Sequence, residues 1–248
     1  MASVKFKAAW LTDPGVVADK VNEDSGTVCI HAFDGEDVAL LAVADGVGGL
    51  DAGDMASKFV VDMVQTRFAK RVEQGMPRNE IFSALVVDMA KANETVLSFA
   101  QKRGIRSGTT LTALLLGADG YSFYHVGDSR AYHLPGSSRH TILQLTKDDT
   151  KTLPKQTADG RIYMKTYLTE CVGTKQQFCY QQGTGKFCKN DIFVLCTDGI
   201  YKKQPDAVLQ KAIRRKRNDM TSLCRDLIDG AKQRGETDNL TVAAVCIT

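Results

Sequence analysis

The sequence has no apolar run long enough to cross a membrane, no Cys-x-x-Cys pair and no strong excess of either charge. A net charge of +3 over 248 residues is too small to indicate nucleic acid as the main partner. The seven cysteines are an odd number, and without a Cys-x-x-Cys pair they suggest neither a zinc site nor thioredoxin-like chemistry. Because a signal peptide is also missing, we expect a cytoplasmic protein that binds neither nucleic acid nor membranes.

Internal repeats and low-complexity linkers are absent from the sequence as well. A chain of 248 residues is long enough to form one large domain with a substantial core. The informative motifs are spread over almost the whole chain, which favours one domain over two. We therefore predict a single domain over residues 1–248, with a polar flap or loop region, short of periodicity, at about residues 146–190.

The sequence also lacks the spacing of serine, histidine and aspartate that a hydrolase triad would need. Ser107, Thr109 and Thr110 could resemble nucleophiles, but we expect them to begin a strand and to pack beneath a site. All four histidines lie in or beside predicted strands, and none is a convincing general acid. We predict structural roles for His31, His125, His133 and His140.

What the sequence does contain is a set of apolar strands next to carboxylates. The apolar run at residues 40–44 ends in Asp45, which three glycines follow within four residues. A second run, at residues 192–197, leads to Asp198, and Asp238 comes just before a third. A single aspartate before glycine is an ordinary turn residue. Several carboxylates brought together would raise one another's pKa unless a cation neutralised them, and all-oxygen ligands suit Mg²⁺ or Mn²⁺.

Four stretches have the periodicity of amphipathic helices: residues 52–73, 78–101, 205–217 and 219–234. The segment from residue 109 to residue 145 is mostly β-prone, with turn residues at regular intervals. Strands that alternate with pairs of helices indicate an α+β fold in which helices cover the faces of sheets.

Seven motifs follow one another between about residue 22 and residue 245. They are Asn22-Glu23-Asp24, Asp45-Gly46-Val47-Gly48-Gly49, Ser107-Gly108-Thr109-Thr110, Val126-Gly127-Asp128-Ser129-Arg130, Leu145-Thr146-Lys147-Asp148-Asp149-Thr150, Leu195-Cys196-Thr197-Asp198-Gly199 and Asp238-Asn239-Leu240-Thr241-Val242. In content and in order they resemble the metal-dependent protein phosphatases of type 2C, especially the compact bacterial ones. A single motif of this kind is weak support for the resemblance, whereas seven in the family's order are strong support.

The resemblance implies a four-layer α/β/β/α sandwich, in which two antiparallel β-sheets are flanked by helix pairs and a dinuclear metal site lies at one end. It implies two Mn²⁺ or Mg²⁺ ions and allows a third. By this resemblance Asp45 would bridge both ions. Glu23 and the backbone carbonyl of Gly46 would hold one ion, and Asp198 with Asp238 would hold the other.

Two more carboxylates have roles by the same resemblance. Asp24 would hydrogen-bond to metal-bound water, and Asp128 would hold the third, weaker ion. The activity implied is that of a protein serine/threonine phosphatase, in which metal-bound water attacks phosphoserine or phosphothreonine directly. The implied partners are phosphoprotein substrates and a cognate serine/threonine kinase, and we expect a monomer.

The sequence departs from the family pattern at the phosphate-binding position and at the general acid. Asp19 stands where family members usually carry an arginine that grips the substrate phosphate. The adjacent Lys20 is a weak candidate for this role, because lysine lacks the bidentate fork of arginine. Val47 and Leu50 occupy positions at which relatives often carry a histidine that donates a proton to the leaving group.

These departures leave two alternatives open. The first is a catalytically weak or inactive module that keeps the fold and binds a phosphoprotein or a kinase. The second is a hydrolase of small phosphoesters, which a shortened flap between residues 150 and 167 would favour. Metal-dependent turnover would distinguish an enzyme from the inactive module of the first alternative. The rate on a phosphopeptide relative to that on a small ester would distinguish a protein phosphatase from the small-ester hydrolase of the second.

Overall fold

The computed structural model describes residues 4–33, 35–47, 51–118, 120–136, 141–157 and 159–248. The strands are β1 (Phe6–Asp13), β2 (Asp24–Phe33), β3 (Glu36–Asp45), β4 (Leu111–Gly117), β5 (Gly120–Val126), β6 (Arg130–Leu134), β7 (Leu143–Gln144), β8 (Thr150–Gln156), β9 (Ile162–Leu168), β10 (Gln181–Gly185), β11 (Ile192–Cys196) and β12 (Leu240–Ile247). The helices are α1 (Gly53–Glu73), α2 (Arg78–Arg103), α3 (Asp198–Tyr201), α4 (Asp206–Arg215) and α5 (Met220–Gln233).

Ten of the strands form two five-stranded antiparallel sheets. One sheet has the order β1-β12-β11-β6-β7, and the other has the order β10-β5-β4-β3-β2. The remaining strands, β8 and β9, pair only with each other in the described part of the chain. The first and last long strands of the fold, β1 and β12, are neighbours, so the two ends of the described chain meet in one sheet.

The two sheets pack face to face, and β3 shows how the sequence determines this. Alternate side chains of a strand point to opposite faces. Leu41 and Val43 point into the layer between the sheets, where they join Phe193 and Leu195 of β11. Leu40, one residue earlier, points the other way into the core beneath α1 and α2. The continuous apolar run of β3 therefore reflects burial on both faces.

Helices cover both outer faces of this β-sandwich. From α1 and α2, Val60, Val64, Ile81 and Leu85 are buried against the sheet that contains β3. Helices α4 and α5 bury their apolar stripes, including Leu223 and Leu227 of α5, against the sheet that contains β12. The predicted four-layer α/β/β/α sandwich is confirmed. None of the helices in the described ranges is long and apolar enough to span a membrane.

The main correction concerns residues 146–190, which we predicted as a polar loop region. This segment contains β8, β9 and β10. Every residue of β8 and β9 except the two at their base, Thr150 and Leu168, is exposed. A strand that is solvated on both faces has no buried side to impose an alternating pattern, so periodicity could not reveal it. Helix α3 was missed as well, because four residues are too short for a helical period.

Candidate metal centre and active site

Asp45 lies at the end of β3 and is held there through its backbone. Its amide donates a hydrogen bond to Thr110 Oγ1 (2.9 Å). Its carbonyl accepts hydrogen bonds from Thr109 Oγ1 (2.9 Å) and from the Thr110 amide (2.9 Å). The predicted placement of the Ser107–Thr110 motif beneath the site is therefore confirmed for these two threonines. Hydrogen bonds to both its amide and its carbonyl hold the backbone of Asp45 in place.

Three aspartates from three separate parts of the chain meet at this end of the sandwich. Oxygens of Asp45, Asp128 and Asp198 lie within 4.8 Å of one another. Asp45 ends β3, Asp128 lies in the turn between β5 and β6, and Asp198 is the first residue of α3. The Oδ1 atom of Asp198 is buried and has no hydrogen-bond partner in the described residues. A buried carboxylate oxygen without a partner is costly, and a hard cation would satisfy it.

The electrostatics of the cluster also favour a cation. Burial raises the pKa of Asp128 to about 7, with the Asp198 charge as a second cause. Burial, followed by the charges of Asp24 and Asp198, raises the pKa of Asp45 well above 3.8. Burial raises the pKa of Asp198 too, although Lys202 opposes this shift. These groups resist ionising together unless positive charge is added, so the residues present fit divalent ions.

Asp24 lies beside Asp45, because the two residues are directly paired between β2 and β3. Its carboxylate accepts a hydrogen bond from Thr197 Oγ1 (2.7 Å), and Thr197 in turn accepts one from the Thr241 amide (3.0 Å). Burial raises the pKa of Asp24 to about 7, even though the hydrogen bond from Thr197 favours its charged form. Asp24 can therefore hold a proton near neutral pH directly beside the cluster.

Glu23 and Gly46 are packed against each other at the rim of the site. The Gly46 amide donates to the Glu23 carbonyl (3.0 Å), and Ser57 Oγ donates to the same carbonyl (2.6 Å). A Cβ atom on Gly46 would lie 2.4 Å from the backbone carbon of Gly53, so only glycine fits. Burial and the charge of Asp54 raise the pKa of the Glu23 carboxyl.

Two lysines flank Asp238, the residue before Asn239, whose Oδ1 accepts the Glu23 amide (3.0 Å). Lys20 Nζ lies 2.6 Å from Asp238 Oδ1 and also donates to the Thr237 carbonyl (3.3 Å). Lys202 Nζ forms an ion pair with Asp198 and lies 3.6 Å from Asp238 Oδ2. Burial alone would raise the pKa of Asp238, but the two ammonium groups bring it below 3.8. Sequence reasoning missed Lys202, although its place four residues after Asp198 was a usable signal.

Asp19 occupies the position at which family members carry a phosphate-binding arginine. Asp19 is exposed and has a positive φ of 58° in the turn before Lys20. Arg130 does not replace it, because its guanidinium forms two hydrogen bonds to Asp148 (2.9 and 2.8 Å) and stacks 3.6 Å above the Tyr201 ring. Val47 donates its amide to the Gly108 carbonyl (3.0 Å). The predicted position Leu50, with Gly48 and Gly49, lies outside the described residues.

Two histidines are confirmed as parts of the fold. His125 is buried and lies 2.8 Å from Thr112 Oγ1 through Nδ1 and 3.2 Å from the Lys147 carbonyl through Nε2. His133 Nε2 lies 2.9 Å from Asp191, beneath a stacked Phe193 ring. His31 Nε2 lies 3.0 Å from the Cys29 sulfur, and the predicted position His140 is outside the described residues.

A profile described as Protein phosphatase 2C matches residues 16–241. The chain belongs to this family. It is therefore an enzyme, a metal-dependent serine/threonine protein phosphatase, as the seven motifs predicted. The match contains every residue of the acidic cluster and strands β2 to β11, and it leaves out β1 and most of β12.

Individual relatives of this 2C-type phosphatase agree with the family match. The chain is 28% identical over 249 aligned positions to a serine/threonine phosphatase of Listeria monocytogenes, with 96% of this chain and 94% of the relative covered. The solved structure of PppA from Pseudomonas aeruginosa is 26% identical, with a TM-score of 0.76 and 98% of both chains covered. The solved structure of the phosphatase Stp1 from Staphylococcus aureus is 25% identical, with a TM-score of 0.78, and covers 99% of this chain and 96% of its own.

Proposed function

We propose that this 2C-type phosphatase binds two Mn²⁺ or Mg²⁺ ions at Glu23, Asp45, the Gly46 carbonyl, Asp198 and Asp238, with Asp128 available for a third. The observation that carries the proposal is the meeting of Asp45, Asp128 and Asp198 within 4.8 Å, with a buried, unpartnered oxygen on Asp198. Divalent ions at such a site generate a nucleophile at neutral pH and neutralise charge on the phosphoryl group.

The residues of the chain have distinct roles in this proposal. The hydrogen bonds from Thr109 and Thr110 hold the Asp45 backbone in place, so its carboxylate projects into the cluster from a fixed point of the fold. Asp24, with a pKa of about 7, holds or releases a proton next to the site. Lys20 is the candidate for the phosphate, because its ammonium lies on the rim at Asp238 and a shift of its flexible stem would bring it to an incoming anion.

The substrates proposed are proteins phosphorylated on serine or threonine, and a cognate serine/threonine kinase is the proposed partner. We also propose that residues 1–248 work as one domain and as a monomer. The assembled carboxylates favour an active enzyme over a phosphatase-like binding module, because a module that only binds protein has no use for mutually repelling buried aspartates.

The test is hydrolysis of an aryl phosphate and of a phosphothreonine peptide as Mn²⁺ is titrated. We expect saturable turnover that a chelator removes and that Asp198→Asn lowers by about 100-fold or more. Asp229→Asn, an exposed aspartate on α5, is the matched control and should behave as wild type. Wild type and Asp198→Asn that are equally inert while Mn²⁺ still binds would contradict the proposal.

A further inference from the structure

The β8–β9 hairpin starts directly from the acidic site. Asp149, the residue before β8, donates its amide to the Gly127 carbonyl (2.7 Å) and accepts the Gly127 amide at Oδ2 (3.0 Å). Thr169, the residue after β9, donates to the Asp149 carbonyl (2.8 Å). Gly127 immediately precedes Asp128 of the cluster. Both ends of the hairpin are thus anchored at the edge of the catalytic site.

The pairing of β8 with β9 determines which side chains share a face of the hairpin. Directly opposed residues of an antiparallel pair point to the same side, and the side alternates along each strand. Three successive pairs on one side form what we call the basic face: Lys151 with Tyr167, Leu153 with Lys165, and Lys155 with Tyr163. The Lys165 ammonium lies 5.3 Å from the centre of the Tyr167 ring. The basic face therefore combines three cations with two aromatic rings.

The basic face is solvated and carries uncompensated positive charge. All six of its side chains belong to exposed residues, and the two tyrosines are 42% and 38% exposed. The carboxylate of Asp159 in the adjoining turn is paired with Arg161 (2.6 Å). In the described ranges, no ion pair involves Lys151, Lys155 or Lys165. Tyrosine is enriched where proteins bind partners, and lysines that form no ion pair leave their charge available to an acidic ligand.

We propose that the basic face binds an acidic segment of the phosphoprotein substrate, next to the phosphorylated residue in the metal site. The inference rests on the proposed phosphatase function and adds a substrate preference to it. The lysines attract Asp and Glu side chains of the segment, and the tyrosines offer flat contact surface at a low cost in conformational entropy. The hairpin is anchored at Gly127, the residue before Asp128. A peptide bound at Asp128 therefore lies next to the start of the hairpin.

Charge complementarity favours this occupant. Carboxylates line the site, so they do not attract the acidic residues of a substrate. Only the phosphate group would be attracted there, by the bound metal ions. The basic face supplies that attraction a short distance away. A strand of seven residues spans about 23 Å, so acidic residues up to about seven positions from the phosphorylated residue can reach the face. The chain's modest net charge of +3 makes nucleic acid a poorer fit than an acidic peptide.

The test uses two phosphothreonine peptides that differ only in flanking residues, with Asp and Glu in one and Asn and Gln in the other. The wild-type enzyme should have a kcat/KM about tenfold higher on the acidic peptide, and this preference should shrink as salt is raised. Lys151→Gln/Lys155→Gln/Lys165→Gln should abolish the preference while the rate on an aryl phosphate stays unchanged. A matched control, Lys203→Gln/Lys211→Gln, changes two exposed lysines outside the hairpin and should keep the preference.

The two peptides are also labelled and their binding measured by fluorescence anisotropy, so that the inference does not depend on turnover. Equal affinity for both peptides, or a preference that survives the triple substitution, overturns the inference even if the enzyme is active. Tighter binding of single-stranded RNA than of the acidic peptide to the basic face would also overturn it. Absence of aryl phosphate hydrolysis would instead contradict the proposed function.

Discussion

Lys202 lies four residues after Asp198, and its ammonium group forms an ion pair with the Asp198 carboxylate. The same ammonium is 3.6 Å from Asp238 Oδ2. A cation supplied by the chain therefore neutralises the two carboxylates that we propose as ligands of one divalent ion. The Lys202 side chain is 46% exposed, which leaves it room to move into solvent. An ion that binds these carboxylates has to compete with it.

Replacement of this lysine is therefore expected to strengthen metal binding. Lys202→Met should raise the affinity for Mn²⁺ by about tenfold, because the ion then no longer has to displace an ammonium before it binds. Titration calorimetry and the loss of the free-Mn²⁺ paramagnetic resonance signal measure this without any assay of activity. Lys203→Met, an exposed neighbour, is the control. Identical Mn²⁺ affinities in the two variants would show that Lys202 does not compete.

The metal-free protein is expected to lose stability as the pH rises. Asp24 and Asp128 have pKa values of about 7 in the fold, against an ordinary value of 3.8, so the folded chain binds their protons more tightly. Their contribution to the free energy of unfolding is complete below about pH 4 and is lost as the pH rises through about 7. The loss is up to about 1.4 kcal/mol per pH unit for each group.

Urea unfolding in chelator between pH 5 and pH 8 measures this slope. Asp128→Asn should make it shallower, because one of the titrating carboxyls is gone. Saturating Mn²⁺ should flatten it in the wild type, since the ions then compensate the charge. A slope that is the same in wild type and Asp128→Asn would contradict the raised pKa of Asp128.

Arg130 joins the base of the hairpin to the metal site. It binds Asp148 through two nitrogens and stacks on Tyr201, whose hydroxyl donates to the Asp128 carbonyl (2.8 Å). Arg130→Lys should cost about 1–3 kcal/mol of unfolding free energy, because lysine keeps the charge but loses the fork and the stacking. It should also lower kcat, since Asp128 is less well positioned. Arg225→Lys, exposed on α5, should change neither quantity.

Gly199 is required by the close approach of another backbone segment. A Cβ atom there would lie 2.1 Å from the Asn239 carbonyl oxygen. Gly199→Ala should therefore push Asp198 and Asp238 apart, destabilise the fold by about 1–3 kcal/mol and weaken Mn²⁺ binding. The control is Gly75→Ala, which has open space but a positive φ of 66°, and should cost about 1 kcal/mol with no change in Mn²⁺ affinity. Equal Mn²⁺ affinity in both variants would refute this role for Gly199.

The strands of the two sheets other than β10, the four longer helices and the individual carboxylates could be predicted from the sequence, because each has a local sequence pattern. The apolar run that ends in Asp45 needs only its own neighbours to be recognised, and the same is true of the run before Asp198. The amphipathic helices α1 and α2 begin and end within about two residues of their predicted limits, because burial on one face imposes a period on the sequence.

The sequence by itself thus determined the layers of the fold, the family and the residue types of the site. Only the tertiary structure decided that Lys20 and Lys202 both reach Asp238, that Arg130 binds Asp148, and that β8 and β9 pair to form a basic face. The reason is physical. Burial on one face imposes a periodic pattern of apolar residues on the sequence. Ion pairs between distant segments, and strands exposed on both faces, produce no such pattern, because they depend on which parts of the chain the fold brings together.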